Sequence, residues 1–205
     1  MAFTPLPKAL ATAGLVMLGT SAAFAADSPA LLTGASATML ANTCMGCHGP
    51  DGASHGPATP TIAGLSKDYF VDVMQGFKSG EIPSTIMNRI ANGYSDDEIK
   101  TLADYFGNKP FVKANQNFKP KLARRGAKLH DKYCEKCHGN GGQSAEDDAG
   151  ILAGQWAPYI SWALADFISG HREAPRKMKK RIEKLLLKKG AAGFDALVNF
   201  YASQR

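Results

Sequence analysis

The chain has 205 residues, 44% of them hydrophobic and 20% charged, with a formal net charge of +6. That length is room for one large domain or two small ones, and the apolar content excludes wholesale disorder. After the first thirty residues no apolar run of about 18 residues appears, which excludes an internal transmembrane helix by sequence.

The N-terminus reads as an export signal. Lys8 is its only charge, an apolar run follows from Ala9 to Leu18, and Ala23-Phe24-Ala25 is a small-x-small cleavage pattern. The alternative is a retained anchor helix, for which the apolar core is short. Cleavage after Ala25 leaves 180 residues and a net charge of +5. The mature protein is then expected outside the cytoplasm, in the periplasm, where thiols tend to oxidise.

The mature chain is a repeat. Cys44-Met45-Gly46-Cys47-His48 recurs as Cys134-Glu135-Lys136-Cys137-His138, each residue 90 positions from its counterpart. Ala63-Gly64 matches Ala153-Gly154 at the same offset, Tyr69 matches Tyr159, Phe77 matches Phe167, and Ser79-Gly80 matches Ser169-Gly170. Two copies at this period mean duplicated domains rather than a solenoid. Pro110, Asn115, Asn117 and Pro120 mark a linker, so half one is expected at 26–115 and half two at 116–205.

Both halves read as helical. Tyr69, Phe70, Val73, Met74 and Phe77 fall on one helix face, and Tyr159, Ile160, Ala163, Leu164 and Phe167 repeat the spacing. Half one closes with Ile99, Leu102, Ala103 and Phe106 behind the capping-like Ser95-Asp96-Asp97-Glu98, and half two with Phe194, Leu197, Val198 and Tyr201. No alternating run is long enough for a sheet. The expected fold class is all-α, two tandem domains related by duplication, with the aromatic and Met residues of these faces in the cores.

Three chemistries compete for the Cys pairs: structural zinc, redox dithiols or disulfides, and covalent haem, for which C-x-x-C-H is the attachment signature. Haem explains most. Two thiols three residues apart add across the two vinyl groups of one porphyrin, and the adjacent His reaches the iron. Neither zinc nor a dithiol requires that His, and Cys47 and Cys134 are 87 positions apart, far beyond the usual spacing of zinc-ribbon pairs. The expected cofactors are two haem c groups on Cys44, Cys47, Cys134 and Cys137, with His48 and His138 on the irons. Such haems also supply much of the core that a domain of this size lacks.

Met or His usually supplies the second axial ligand. Met178 is the only methionine after residue 87 and lies 40 residues beyond His138; Met87 lies 39 beyond His48. Met74 has Leu164 as its counterpart and reads as core. His55, His130 and His171 have Ala145, Leu40 and Glu81 at the offset and read as solvated or packing residues. Met87 and Met178 are therefore the expected sixth ligands, behind Pro83 and Pro175. Thioether ligation raises the potential, and a six-coordinate iron has no free site, so electron transfer is expected rather than oxygen or peroxide chemistry.

Charge is lopsided. Half one carries six Lys and Arg against nine Asp and Glu; half two carries 17 against nine. Arg172 to Lys189 holds nine bases and two acids around Met178. This is either a solvated helix face or a docking surface that steers an acidic redox partner.

With these motifs in place the chain resembles the dihaem subunit of flavocytochrome c sulfide dehydrogenase. The resemblance rests on Phe77-Lys78-Ser79-Gly80-Glu81-Ile82, Ser84-Thr85-Ile86-Met87, the stretch from Gly126 to His138, Ile151-Leu152-Ala153-Gly154-Gln155-Trp156, and the closing Phe200-Tyr201-Ala202-Ser203-Gln204. It implies cytochrome c-like halves with their haems close together, and a separate FAD-containing subunit that oxidises sulfide and reduces the haem of half one. The second haem then serves a soluble acceptor such as a small cytochrome c. The chain is no enzyme by itself on this reading. A free dihaem cytochrome of the c-four type, donating to a terminal oxidase, shares the layout, and a dihaem peroxidase would need an open axial site. One departure stands out: half one has Pro57 and Pro60 after its motif to buttress the proximal His, whereas half two has no proline between His138 and Pro158.

Overall fold

The computed structural model describes residues 34–144 and 149–205. The expected signal segment lies outside the described residues. Half one contains α1 (Ala37–Asn42), α2 (Met45–His48), a 3-10 turn (Pro50–Gly52), α3 (Lys67–Ser79), α4 (Met87–Ala91) and α5 (Asp96–Gly107). Half two contains α6 (Pro120–Tyr133), the short α7 (Gly139–Gly142), α8 (Ala157–Ser169), α9 (Arg176–Lys189) and α10 (Ala191–Ala202). No strand occurs among the described residues, and none of their helices is long and apolar enough to cross a membrane.

Local chemistry sets the helix ends. Ser66 caps α3 by accepting from the Tyr69 N–H, and the helix stops at the left-handed Gly80. Its counterpart α8 starts with Pro158 in its first turn and stops at the left-handed Gly170. Ser95 and Glu98 form the full capping box of α5.

Each half buries its own core. Leu40, Phe70, Met74, Ile99, Leu102 and Phe106 form the first, and Leu129, Tyr133, Ile160, Leu185, Phe194, Leu197 and Tyr201 the second. The first helix crosses the last in both, α1 on α5 and α6 on α10. At Gly126 of α6 a Cβ would stand 2.0 Å from the Ala196 carbonyl oxygen, so this crossing needs glycine.

The repeat extends to single hydrogen bonds. The Gly52 carbonyl accepts from Ile62 N at 2.9 Å and Ala63 N at 3.3 Å; the Gly142 carbonyl accepts from Leu152 N and Ala153 N, both at 2.9 Å. Gly64 N donates to the Phe106 carbonyl and Gly154 N to that of Tyr201, again at 2.9 Å. The closing pair has shifted by five positions relative to the motifs because α9 is 14 residues long where α4 has five.

The segment between α5 and α6 is extended and lies on half two. Ala114 N donates to the Gly154 carbonyl at 2.7 Å. The Gln116 side chain bonds the Gln155 carbonyl and the Ala157 N–H, each at 2.8 Å.

Candidate functional site

In each motif one carbonyl gathers two N–H groups. Cys44 O accepts from Cys47 N at 3.3 Å and His48 N at 2.9 Å; Cys134 O accepts from Cys137 N at 3.1 Å and His138 N at 3.0 Å. A single helical turn thus brings the two thiols and the imidazole of each motif to neighbouring positions. The first cysteine of each pair is half-buried and packs on its core, and the second is exposed.

His48 is held by its far nitrogen. Nδ1 lies 2.8 Å from the Pro60 carbonyl oxygen, which can only accept. Nδ1 therefore carries the proton and Nε2 presents a lone pair. Burial holds the His48 imidazole below its ordinary pKa, ahead of the opposing pull of the Pro60 carbonyl, so the ring is neutral near pH 7 and suited to a metal. In half two Gly150 stands where Pro60 stands in the repeat. His138 Nδ1 is buried with no partner at hydrogen-bond distance. Burial and then the nearby His130 lower the His138 pKa, while the Gly150 backbone pulls the other way. The buttress is therefore a backbone carbonyl rather than the proline ring, and in half two it is looser.

Met87 opens α4 and Met178 lies in the first turn of α9; both are half-buried against the cores that carry Cys44 and Cys134. Met74 is buried core, as its apolar counterpart implies. Asn88 fixes the loop that presents Met87: its Nδ2 donates to the Phe77 carbonyl at 2.7 Å and the Ile82 carbonyl at 2.9 Å, and its N–H donates to Ser84 Oγ at 2.9 Å. Sequence reading missed this residue, whose counterpart beside Met178 is Lys179. In half two the Arg172 guanidinium stacks on Phe167 at 4.8 Å, and burial pushes the Tyr159 hydroxyl up to about 12.

The polar groups beside the anchor cysteines differ between the halves. Thr43 donates to the Leu40 carbonyl at 2.7 Å, so the Tyr94 hydroxyl donates to Thr43, and the Thr43 hydroxyl lies 3.8 Å from Cys44 Sγ. In half two His130 is fully buried. Its Nδ1 lies 3.0 Å from the Tyr201 hydroxyl and its Nε2 2.5 Å from Glu135 Oε2. Glu135 also accepts from Asn140 N at 2.9 Å and Gly141 N at 3.1 Å. It thereby pins the attachment turn to α6. His130 is the packing histidine of the three candidates, while His55 and His171 are exposed.

A second unforeseen element joins the halves. Thr61 N donates to Gln155 Oε1 and Gln155 Nε2 donates to the Thr61 carbonyl, both at 2.9 Å and both buried. Trp156 Nε1 donates to the Ser54 carbonyl at 3.2 Å. The Ala-Gly-Gln segment of half two thus grips the loop that follows the first motif.

These features discriminate among the three chemistries. Among the described residues no three His, Cys, Asp or Glu side chains converge as a metal cluster, so the cysteines do not build one tetrahedral zinc site. Burial pushes the Cys134 thiol up to about 11 and raises that of Cys44 as well, the reverse of an activated dithiol. Each core leaves a matching set of apolar side chains only partly covered: Cys44, Ile62, Phe77 and Met87 in half one, Cys134, Leu152, Phe167 and Met178 in half two. That duplicated, incompletely covered wall fits a bound apolar macrocycle beside each attachment turn.

Comparison with known proteins agrees. The Cytochrome c family model matches residues 34–108. Cytochrome c4 of Azotobacter vinelandii is 34% identical over 184 residues, covering 80% of this chain and 84% of that protein. The cytochrome subunit of sulfide dehydrogenase of Chlorobaculum tepidum is 37% identical over 99 residues, 45% of this chain and 89% of that protein. The crystal structure of reduced recombinant cytochrome c4 from Pseudomonas stutzeri superposes with a TM-score of 0.68 at 25% identity, covering 80% of this chain and 94% of that one. The halves are tandem cytochrome c domains, and the cofactor they imply is covalently bound haem c. The chain is a c-type cytochrome that transfers electrons, and it belongs to the cytochrome c family.

Proposed function

We propose that the chain is the periplasmic electron-transfer subunit of a flavocytochrome c sulfide dehydrogenase, accepting electrons from an FAD-containing subunit and passing them to a soluble cytochrome c. The observation that carries the electron-transfer part is the pairing, on each core, of an attachment cysteine with a methionine: Cys44 with Met87 and Cys134 with Met178. Cys44 and Cys47 would anchor one haem, with His48 Nε2 and the Met87 sulfur on its iron. Cys134, Cys137, His138 and Met178 would do the same in half two. Bound there, haem c supplies a one-electron iron couple, and ligation by one imidazole and one thioether favours its ferrous state.

The chain's own residues do the rest. The Pro60 carbonyl keeps His48 in the Nδ1–H tautomer. Asn88 holds the Met87 loop closed, and with His48 and Met87 both holding the iron the site would take no exogenous substrate. The division at 115 and 116, cleavage after Ala25 and export to the periplasm belong to this reading. Its partner assignment is supported by the longer sequence strings and by the sulfide dehydrogenase relative. Sulfide oxidation itself belongs to the FAD subunit.

The extent of the likeness to cytochrome c4 favours a second reading, a free dihaem cytochrome donating to a terminal oxidase. Purification of the native protein from its source separates the two. A stable complex with an FAD protein at one flavin per two haems supports the first, and a flavin-free monomer overturns it in favour of the second.

A further inference from the structure

The two halves treat their basic residues differently. In half one Lys67, Lys78, Lys100 and Lys109 pair with Asp104, Asp96, Asp97 and Asp51 at 2.5–3.1 Å. In half two α9 carries eight Lys and Arg and the single acid Glu183. Among the described residues none of these eight bases makes an ion pair. The helix turns Ile182 and Leu185 into the core and leaves Leu187 at 86% exposure. Helical spacing puts Arg176, Lys180, Glu183 and Lys184 at i−11, i−7, i−4 and i−3 of Leu187, the neighbours of its face. Leu187, beside the 40%-exposed Leu186, thus stands within a field of unneutralised cations, on the helix whose first turn holds Met178.

We infer that the outer face of α9, running from Arg176 through Lys180 and Lys184 to Leu187, is the docking surface for an acidic redox protein that takes electrons from half two. The inference deepens the proposed function and rests on its placing of the second haem beside Met178. Charge complementarity selects the occupant. The cations steer an acidic face at long range, and Leu187 offers the desolvated contact that slows departure once orientation is set. A membrane surface fits less well. A helix lying on lipid turns a wide apolar stripe outward, whereas the apolar residues of α9 other than Leu186 and Leu187 face the core.

The test uses the mature protein with both haems attached. Stopped-flow electron transfer to plastocyanin, an acidic soluble copper protein, is compared across salt for the wild type, Lys180→Glu/Lys184→Glu and Leu187→Ser. A Lys67→Glu/Lys100→Glu variant in half one controls for net charge. The wild-type rate should fall steeply with salt, the double reversal should lower it about tenfold at low ionic strength and flatten the salt slope, and Leu187→Ser should lower it with the slope intact. A Lys180→Glu/Lys184→Glu variant no slower than Lys67→Glu/Lys100→Glu overturns the inference. So does wild-type binding to phosphatidylglycerol vesicles that the double reversal abolishes while plastocyanin kinetics stay unchanged, because α9 is then a lipid contact. If calorimetry shows plastocyanin binding lost in the double reversal while its rate of reduction is unaffected, the surface stands and the exit of electrons through half two falls.

Discussion

The Gln155 side-chain amide closes a two-bond clasp on the backbone of Thr61, giving and taking one hydrogen bond at 2.9 Å each across the two halves. Thr61 directly follows Pro60, whose carbonyl holds His48. A residue of half two therefore steadies the imidazole of half one. Gln155→Leu leaves a buried N–H and a buried carbonyl unpaired, and should cost about 3 kcal/mol in urea denaturation. It should also perturb the visible spectrum of the half-one haem, which a purely local defect in half two would not do.

The crossing of α6 and α10 has no room for a methyl group. In Gly126→Ala the new carbon meets backbone, the Ala196 carbonyl, and backbone cannot rotate away. The expected loss is about 3 kcal/mol by thermal unfolding. Gly46→Ala is the control, since nothing lies within 4 Å of its added carbon.

His130 sits where half one has Leu40, yet it cannot be exchanged for leucine cheaply. His130→Leu leaves Glu135 and the Tyr201 hydroxyl without their buried partner. Half two should lose about 2–3 kcal/mol and unfold in a separate, earlier transition. A single unshifted transition in calorimetry would contradict the network.

Glu135 gives half two an acid limit. Burial raises its carboxyl, but the hydrogen bonds from His130, Gly141 N and Asn140 N outweigh it and hold the group below its ordinary 4.5. With the folded value depressed, its stabilisation is complete above the ordinary value and is lost as pH falls through the folded one. Acid titration of stability should show this loss below about pH 4.5, and Glu135→Gln should flatten that part of the curve.

Much of this was legible in the residues. The 90-residue offset announced the duplication, and the capping box and the apolar spacings of α3 and α8 placed helices that the structure contains. Cys44 and Met87 pack on one core and Cys134 and Met178 on the other. What escaped were contacts between residues far apart in sequence. Gln155 and Thr61 are 94 positions apart and His130 and Tyr201 are 71, and no periodicity encodes such pairs. The absent proline of half two hid a different point. The acceptor in half one is the Pro60 backbone carbonyl, not its ring, and side-chain identity does not reveal it.

The central claim, that Met87 and Met178 complete two iron sites whose other ligands are His48 and His138, is tested most directly by the near-infrared methionine-to-iron band of the oxidised protein. Met87→Ala and Met178→Ala should each remove about half of that band and the double variant all of it, with two haems still covalently attached. A band that survives in the double variant would contradict the account.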